Sequence, residues 1–222
     1  MNRVCFAILA AALLCAAPAQ AETPSPVADD QPKIGIVSRY LLMDSRGRAI
    51  SDQDFRGSFQ LITFGYTFCP DICPTTLAEI ALIMEKLGGR AEQLQPLFVT
   101  VDPERDTPEV LRRYTAYFHP RIIGLTGSPE LVRRVADHFK VRYEKHWEPG
   151  AEKSKYSVDH STGMYLLGPD GSFLGKFAYA TPPQEVADRI RTLMEEINLP
   201  PPVKRPPEGG TGLRPGSVRY SN

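Results

Sequence analysis

Residues 59–89 read FQLITFGYTFCPDICPTTLAEIALIMEKLGG, and this stretch decides the fold. Its first eight residues, 59–66, are almost all apolar, β-branched or aromatic, which suits a strand buried on both faces in the middle of a sheet. Residues 74–87 then carry Leu77, Ile80, Ala81, Met84 and Leu87 at three- and four-residue spacing, the stripe of an amphipathic helix, and Gly88-Gly89 stops it. A buried strand feeding directly into a helix is the opening half of a parallel crossover.

The alternation continues outward on both sides. Residues 96–101 (PLFVTV) predict a second buried strand, and Asp106-Thr107-Pro108-Glu109 offers a cap and a first-turn proline for a helix reaching Phe118. A short strand over 122–125 precedes a helix opened by Ser128-Pro129-Glu130 and reaching Phe139. Residues 158–167 and 172–178 flank GPDG (168–171), a strong turn signal, and predict a hairpin. Thr181-Pro182 opens a last helix to Ile197, and residues 34–44 with 49–55 predict a small N-terminal strand pair. Parallel strands with crossover helices, then an antiparallel hairpin and a closing helix, give an α/β class: a thioredoxin-like fold, with a mixed sheet flanked by helices.

The ends read differently. Arg3, the apolar run 4–17 and the small-x-small site Ala19-Gln20-Ala21 predict a signal peptide over 1–21, and hence export to the periplasm or cell envelope. Kept uncleaved, the same segment would be a short anchor. Residues 22–33 form a polar linker, 34–199 the domain, and 200–222 a flexible tail rich in proline and glycine. The chain has 222 residues, with 26 lysines and arginines against 26 aspartates and glutamates. This balance, without a basic stripe, argues against a nucleic-acid partner.

Removal of the signal takes Cys5 and Cys15, leaving Cys69 and Cys73 as the only cysteines. Two cysteines four apart close almost no loop, so a bond between them would stabilise little, and their purpose is chemical. They lie in CPDICP (69–74), at the carboxyl end of the first buried strand and the entrance to its helix. Open α/β sheets place ligands at such junctions, and a helix N-terminus favours thiolate, although Asp71 opposes it.

A third ligand must come from four histidines. His119 before Pro120 reads as a helix-end residue, His138 as partly buried packing, and His146 beside Trp147 as solvent-exposed. His160, in Asp159-His160-Ser161 ahead of the hairpin strand, falls near the cysteine junction in a thioredoxin-like sheet. Two thiolates and one imidazole make a soft, low-coordinate set suited to copper(I), with zinc second because no fourth ligand is evident. Met164 falls on the same strand face as His160 by alternation but reads as core. Asp159 orients His160 or caps the strand entrance, and Asp102 serves a turn or adds acidity near the site; the residues leave both questions open.

FGYTFCPDICPT (64–75), VDPERDTP (101–108), Asp159-His160-Ser161 and YLLGPDG (165–171) together resemble the Sco/SenC (PrrC-like) family of thioredoxin-fold copper chaperones, which assist assembly of the binuclear copper site of cytochrome c oxidase. The resemblance covers nearly all of residues 34–197. It implies Cys69, Cys73 and His160 as copper ligands, with Cys69 and Cys73 also a redox-active pair. It further implies a cytochrome c oxidase subunit II copper domain as client, with other periplasmic copper chaperones or thiol reductases as further partners. Two other readings stay open: a thiol-disulfide reductase, although C-x3-C is not the usual C-x2-C, and a copper or redox sensor that delivers nothing. A peroxidase is disfavoured by Ile62 and Tyr66 where the proline and threonine of that pattern would stand.

Overall fold

The computed structural model describes residues 36–197. The expected signal peptide, linker and tail lie outside these residues. Nine strands and four helices run in the order β1 (Leu41–Asp44), β2 (Ala49–Ser51), β3 (Phe59–Gly65), α1 (Ile72–Leu87), β4 (Leu94–Thr100), α2 (Pro108–Phe118), β5 (Ile123–Thr126), α3 (Pro129–His138), β6 (Tyr143–His146), β7 (Ser157–His160), β8 (Met164–Leu167), β9 (Phe173–Phe177) and α4 (Pro183–Glu196). Seven of the strands form one sheet in the order β2-β1-β5-β4-β3-β8-β9, while β6 and β7 form a separate ribbon.

β3 is buried at every position, as its apolar run requires. It pairs in parallel with β4, Gly65 opposite Thr100 at the carboxyl ends, and antiparallel with β8. α1 turns Cys73, Leu77, Ile80, Ile83, Met84 and Leu87 into the core, so Ile83 takes a place the periodicity had given to half-exposed Ala81. It packs against α4 and touches α2, while α3 lies against β1. Thr107 and Ser128 cap α2 and α3 by accepting from the N–H groups of Val110 and Leu131, each followed by proline in the first turn. Phe64, Phe139 and Tyr165 close the core as a triangle with ring centroids 5.5–5.7 Å apart.

Three expectations change. Residues 52–55 leave the strand path for a 3₁₀ turn, because Ser51 and Asp54 exchange bonds in a capping box. α1 starts at Ile72, before Pro74. The predicted strand 158–167 is two strands: β7 pairs with β6, β8 pairs with β9, and the chain breaks between them at Gly163, whose φ is +108°. A Cβ at Gly163 would also lie 2.4 Å from the Phe177 carbonyl oxygen. Met164 and His160 therefore do not share a strand, and Met164 is core at 1% exposure. The predicted GPDG hairpin joins β8 to β9, with Gly171 donating to the Gly168 carbonyl.

Candidate metal centre

The last residue of β3 decides how close a sulfur can come to the sheet. A Cβ on Gly65 would stand 2.7 Å from the Cys73 Sγ and 2.8 Å from the Phe98 ring, so the absence of a side chain at 65 makes the seat for Cys73. Beyond it, the Cys69 N–H donates to the Tyr66 carbonyl and turns the chain toward α1. Helix N-termini carry unpaired N–H groups, and Asp71 at the cap position leaves its side chain unused. The Cys69 sulfur fills that gap: it accepts from the Cys73 N–H at 3.4 Å. Cys73 is almost wholly buried, whereas Cys69 is only half-buried.

His160 ends β7 and brings its Nε2 to 3.6 Å from the Cys73 Sγ. Its Nδ1–H donates to the Ser161 carbonyl at 3.0 Å, which orients the ring so that Nε2 faces the Cys73 sulfur. The Tyr66 ring meets the imidazole edge-on at 6.0 Å. The three donor atoms lie within 4.8 Å of one another, and among the described residues this is the only cluster of metal-ligating side chains with that closeness. Metal–thiolate and metal–imidazole bonds of roughly 2.3 and 2.0 Å at trigonal angles would place sulfur and nitrogen about 3.7 Å apart. The observed separation matches, and the soft S2N set suits a copper(I) ion.

The two thiols are unequal. The hydrogen bond from the Cys73 thiol brings the Cys69 pKa down to about 5, with help from the backbone N–H groups of Cys73 and Asp71 against the opposing cost of burial. Donating that bond, and being buried, holds the Cys73 pKa above its usual value. The apo, reduced protein therefore presents one accessible thiolate and one shielded thiol. Alkylation by iodoacetamide at pH 7 is expected to label Cys69 and spare Cys73, the rate falling only as pH drops through about 5. Peptide mapping that found Cys73 labelled first would contradict this.

The other histidines stay apart. The His119 Nδ1 accepts from the Arg121 N–H, His138 donates to the Arg39 carbonyl, and exposed His146 lies 3.4 Å from the Asp159 carboxylate. Asp159 thus faces away from the cluster, and the Ser161 carbonyl orients His160 in its place. Asp102 is fully buried and accepts from the Tyr156 hydroxyl and from Arg105. Sequence reasoning missed Thr67, Arg105 as a ring-stacking cation, Asp106 as more than a cap, and Tyr156. The Asp106 carboxylate accepts from the Thr67 N–H and hydroxyl and from the Thr100 hydroxyl, and burial raises its pKa. The only written sign of this was the charge density of DPERD. No helix among the described residues is long and apolar enough to cross a membrane.

A SCO1/SenC family model matches residues 28–195. The mitochondrial SCO2 homolog of Bos taurus is 42% identical over 157 residues, covering 70% of this chain and 58% of that protein. The chain thus spans little more than half of that relative's length. The structure of Bradyrhizobium japonicum ScoI with copper bound is 35% identical with a TM-score of 0.65, over 71% of this chain and 98% of that one. At 25% identity and a TM-score of 0.54, over 69% of this chain and 90% of the other, the likeness extends to BsSco. That structure is described as showing a disulfide switch in a member of the Sco family of cytochrome c oxidase assembly proteins.

Proposed function

The chain belongs to the SCO1/SenC family, and from this premise we propose that Cys69, Cys73 and His160 bind one copper(I) ion and pass it to the binuclear copper domain of cytochrome c oxidase subunit II. The observation that carries the reading is the convergence of two sulfurs and one imidazole nitrogen within 4.8 Å. Support comes also from a similar protein, B. japonicum ScoI, whose structure contains copper. The setting proposed is the cell envelope, on the strength of the apolar run 4–17 and the site Ala19-Gln20-Ala21.

Copper is cargo here, so the site must both capture and release it. The Cys69 thiolate, being accessible, meets the ion first; the Cys73 thiol then gives up its proton and closes the site with the Nε2 of His160. Closing the site on Cys73 therefore releases the thiol proton as copper binds. Release also begins at Cys69: an incoming thiolate displaces this less buried sulfur first, while Cys73 still holds the ion.

The same asymmetry supports a second reading, reduction of a partner's disulfide. The Cys69 thiolate attacks one partner sulfur and expels the other as a thiolate. Cys73 then loses its proton and attacks Cys69 in the mixed disulfide, leaving this protein oxidised by two electrons and the partner reduced.

Titration of the reduced protein with copper(I) against a chromophoric competitor tests the first reading. One copper per chain is expected, with affinity lowered roughly 10–100-fold by His160→Ala, by analogy with the scale of lost metal-site contacts. Equal affinity in the variant would remove His160 from the site. Mixing the loaded protein with an apo binuclear-copper domain tests delivery, and copper that stayed in place would overturn delivery and leave the reductase and sensor readings.

A further inference from the structure

The ribbon that carries His160 has no place in the main hydrogen-bond ladder, because β6 and β7 pair only with each other. The cysteines sit on a different element, the junction of β3 and α1. Something must fix the distance between them, since metal–ligand distances are held to about 0.2 Å. We propose that residues 102–106 (DPERD) are a positioning bracket that sets this distance, with Arg105 and Tyr156 as its central contacts. The inference rests on the copper reading of the cluster.

One arm of the bracket holds the ribbon. The Tyr156 hydroxyl, one residue before β7, donates to the Asp102 Oδ1 at 2.7 Å. Arg105 Nη1 donates to the Tyr156 carbonyl at 2.9 Å, and Lys145 of β6 pairs with Glu104 at 2.7 Å. The other arm holds the cysteine loop. Asp106 grips Thr67 at both its N–H and its hydroxyl, two residues before Cys69. The arms meet at Arg105. Its Nε donates to Asp102, and its guanidinium carbon lies 3.7 Å from the Tyr156 ring centroid and 4.7 Å from that of Phe68. One ring comes from the approach to the histidine strand and the other from the residue before Cys69.

A turn that only reversed the chain would not bury two carboxylates, yet Asp102 and Asp106 are both at 0% exposure. Buried carboxylates are costly unless every partner is in place, so this segment tolerates little displacement. A planar guanidinium also stacks and forks in ways that an ammonium does not reproduce. Tyr156 and Arg105 touch no metal-ligating atom; they act through the placement of His160.

The test is a cycle in copper(I) affinity across wild type, Tyr156→Phe, His160→Ala and the double variant. Tyr156→Phe is expected to weaken binding about tenfold in the native background. In the His160→Ala background it should cost less than about twofold, because the ligand that it positions is gone. Equal losses in both backgrounds, or no loss in the native one, would overturn the bracket. Unchanged affinity in His160→Ala alone would instead sink the copper reading beneath it. Arg105→Lys, with copper bound and examined by X-ray absorption, gives a readout that lost stability does not move. A weakened or lengthened nitrogen scatterer beside two sulfurs is expected, and an intact S2N shell would overturn the proposal.

Discussion

Reduced Cys73→Ser, titrated with copper(I), should bind at least about a hundredfold more weakly than the wild type, a larger loss than His160→Ala produces. A hundredfold is the upper end of what losing an outer partner costs a metal site, and here a ligand itself is lost. The reason lies in charge and softness. Copper(I) prefers thiolate to a hydroxyl that stays protonated at neutral pH, and removing one sulfur leaves a single anionic donor. Cys69→Ser should show the same loss, while its hydroxyl can still accept from the Cys73 N–H at the start of α1. Since serine is close to cysteine in volume, thermal melts should show whether either variant is still folded. Retention of affinity within tenfold by both folded variants would count against the dithiol as the binding pair.

The largest stability effect is expected behind the site. Phe98 on β4 is 1% exposed, packs against the Tyr114 ring at 5.7 Å, and lies over the bare face of Gly65 beside Cys73. Phe98→Ala should cost about 3–5 kcal/mol by lost burial and the cavity left behind. For a domain of this size each kcal/mol moves the midpoint by roughly 2–4 °C, so calorimetry of the reduced apo protein should read a fall of about 6–20 °C. A fall under about 3 °C would mean that the cavity collapses, and with it the seat for Cys73 would have to move.

The fold was legible where burial and periodicity agree. β3, α1, β4 and the capped helices α2 and α3 carry apolar patterns or capping residues that admit one reading. The ribbon was not legible, and its residues explain why. Tyr143 to His146 reads YEKH, half-exposed and charged, without the apolar alternation that marks a strand. The run from Val158 to Leu167 looks continuous because nothing in its composition announces that Gly163 adopts a positive φ. The two sulfurs could be found by their junction alone. The histidine was raised above the other three by its place ahead of the hairpin strand and settled only by the family resemblance, since its approach to Cys73 depends on a ribbon that the pattern concealed. The bracket stayed hidden for a related reason: Asp106 reads as a helix cap, whereas Thr107 does that work and Asp106 turns inward to Thr67.

The parallel register of β3 and β4 has a last consequence. Gly65 stands opposite Thr100, so the cysteine loop and the DPERD segment leave the sheet side by side from one edge. Sliding either strand by one residue would exchange its faces, putting a side chain where Cys73 now rests and turning Asp106 away from Thr67. Strand length thus acts as a ruler for the centre. A residue inserted into 59–65 or 94–100 would mis-space both halves at once, whereas the exposed stretch 148–155, beyond β6, lies outside that measurement.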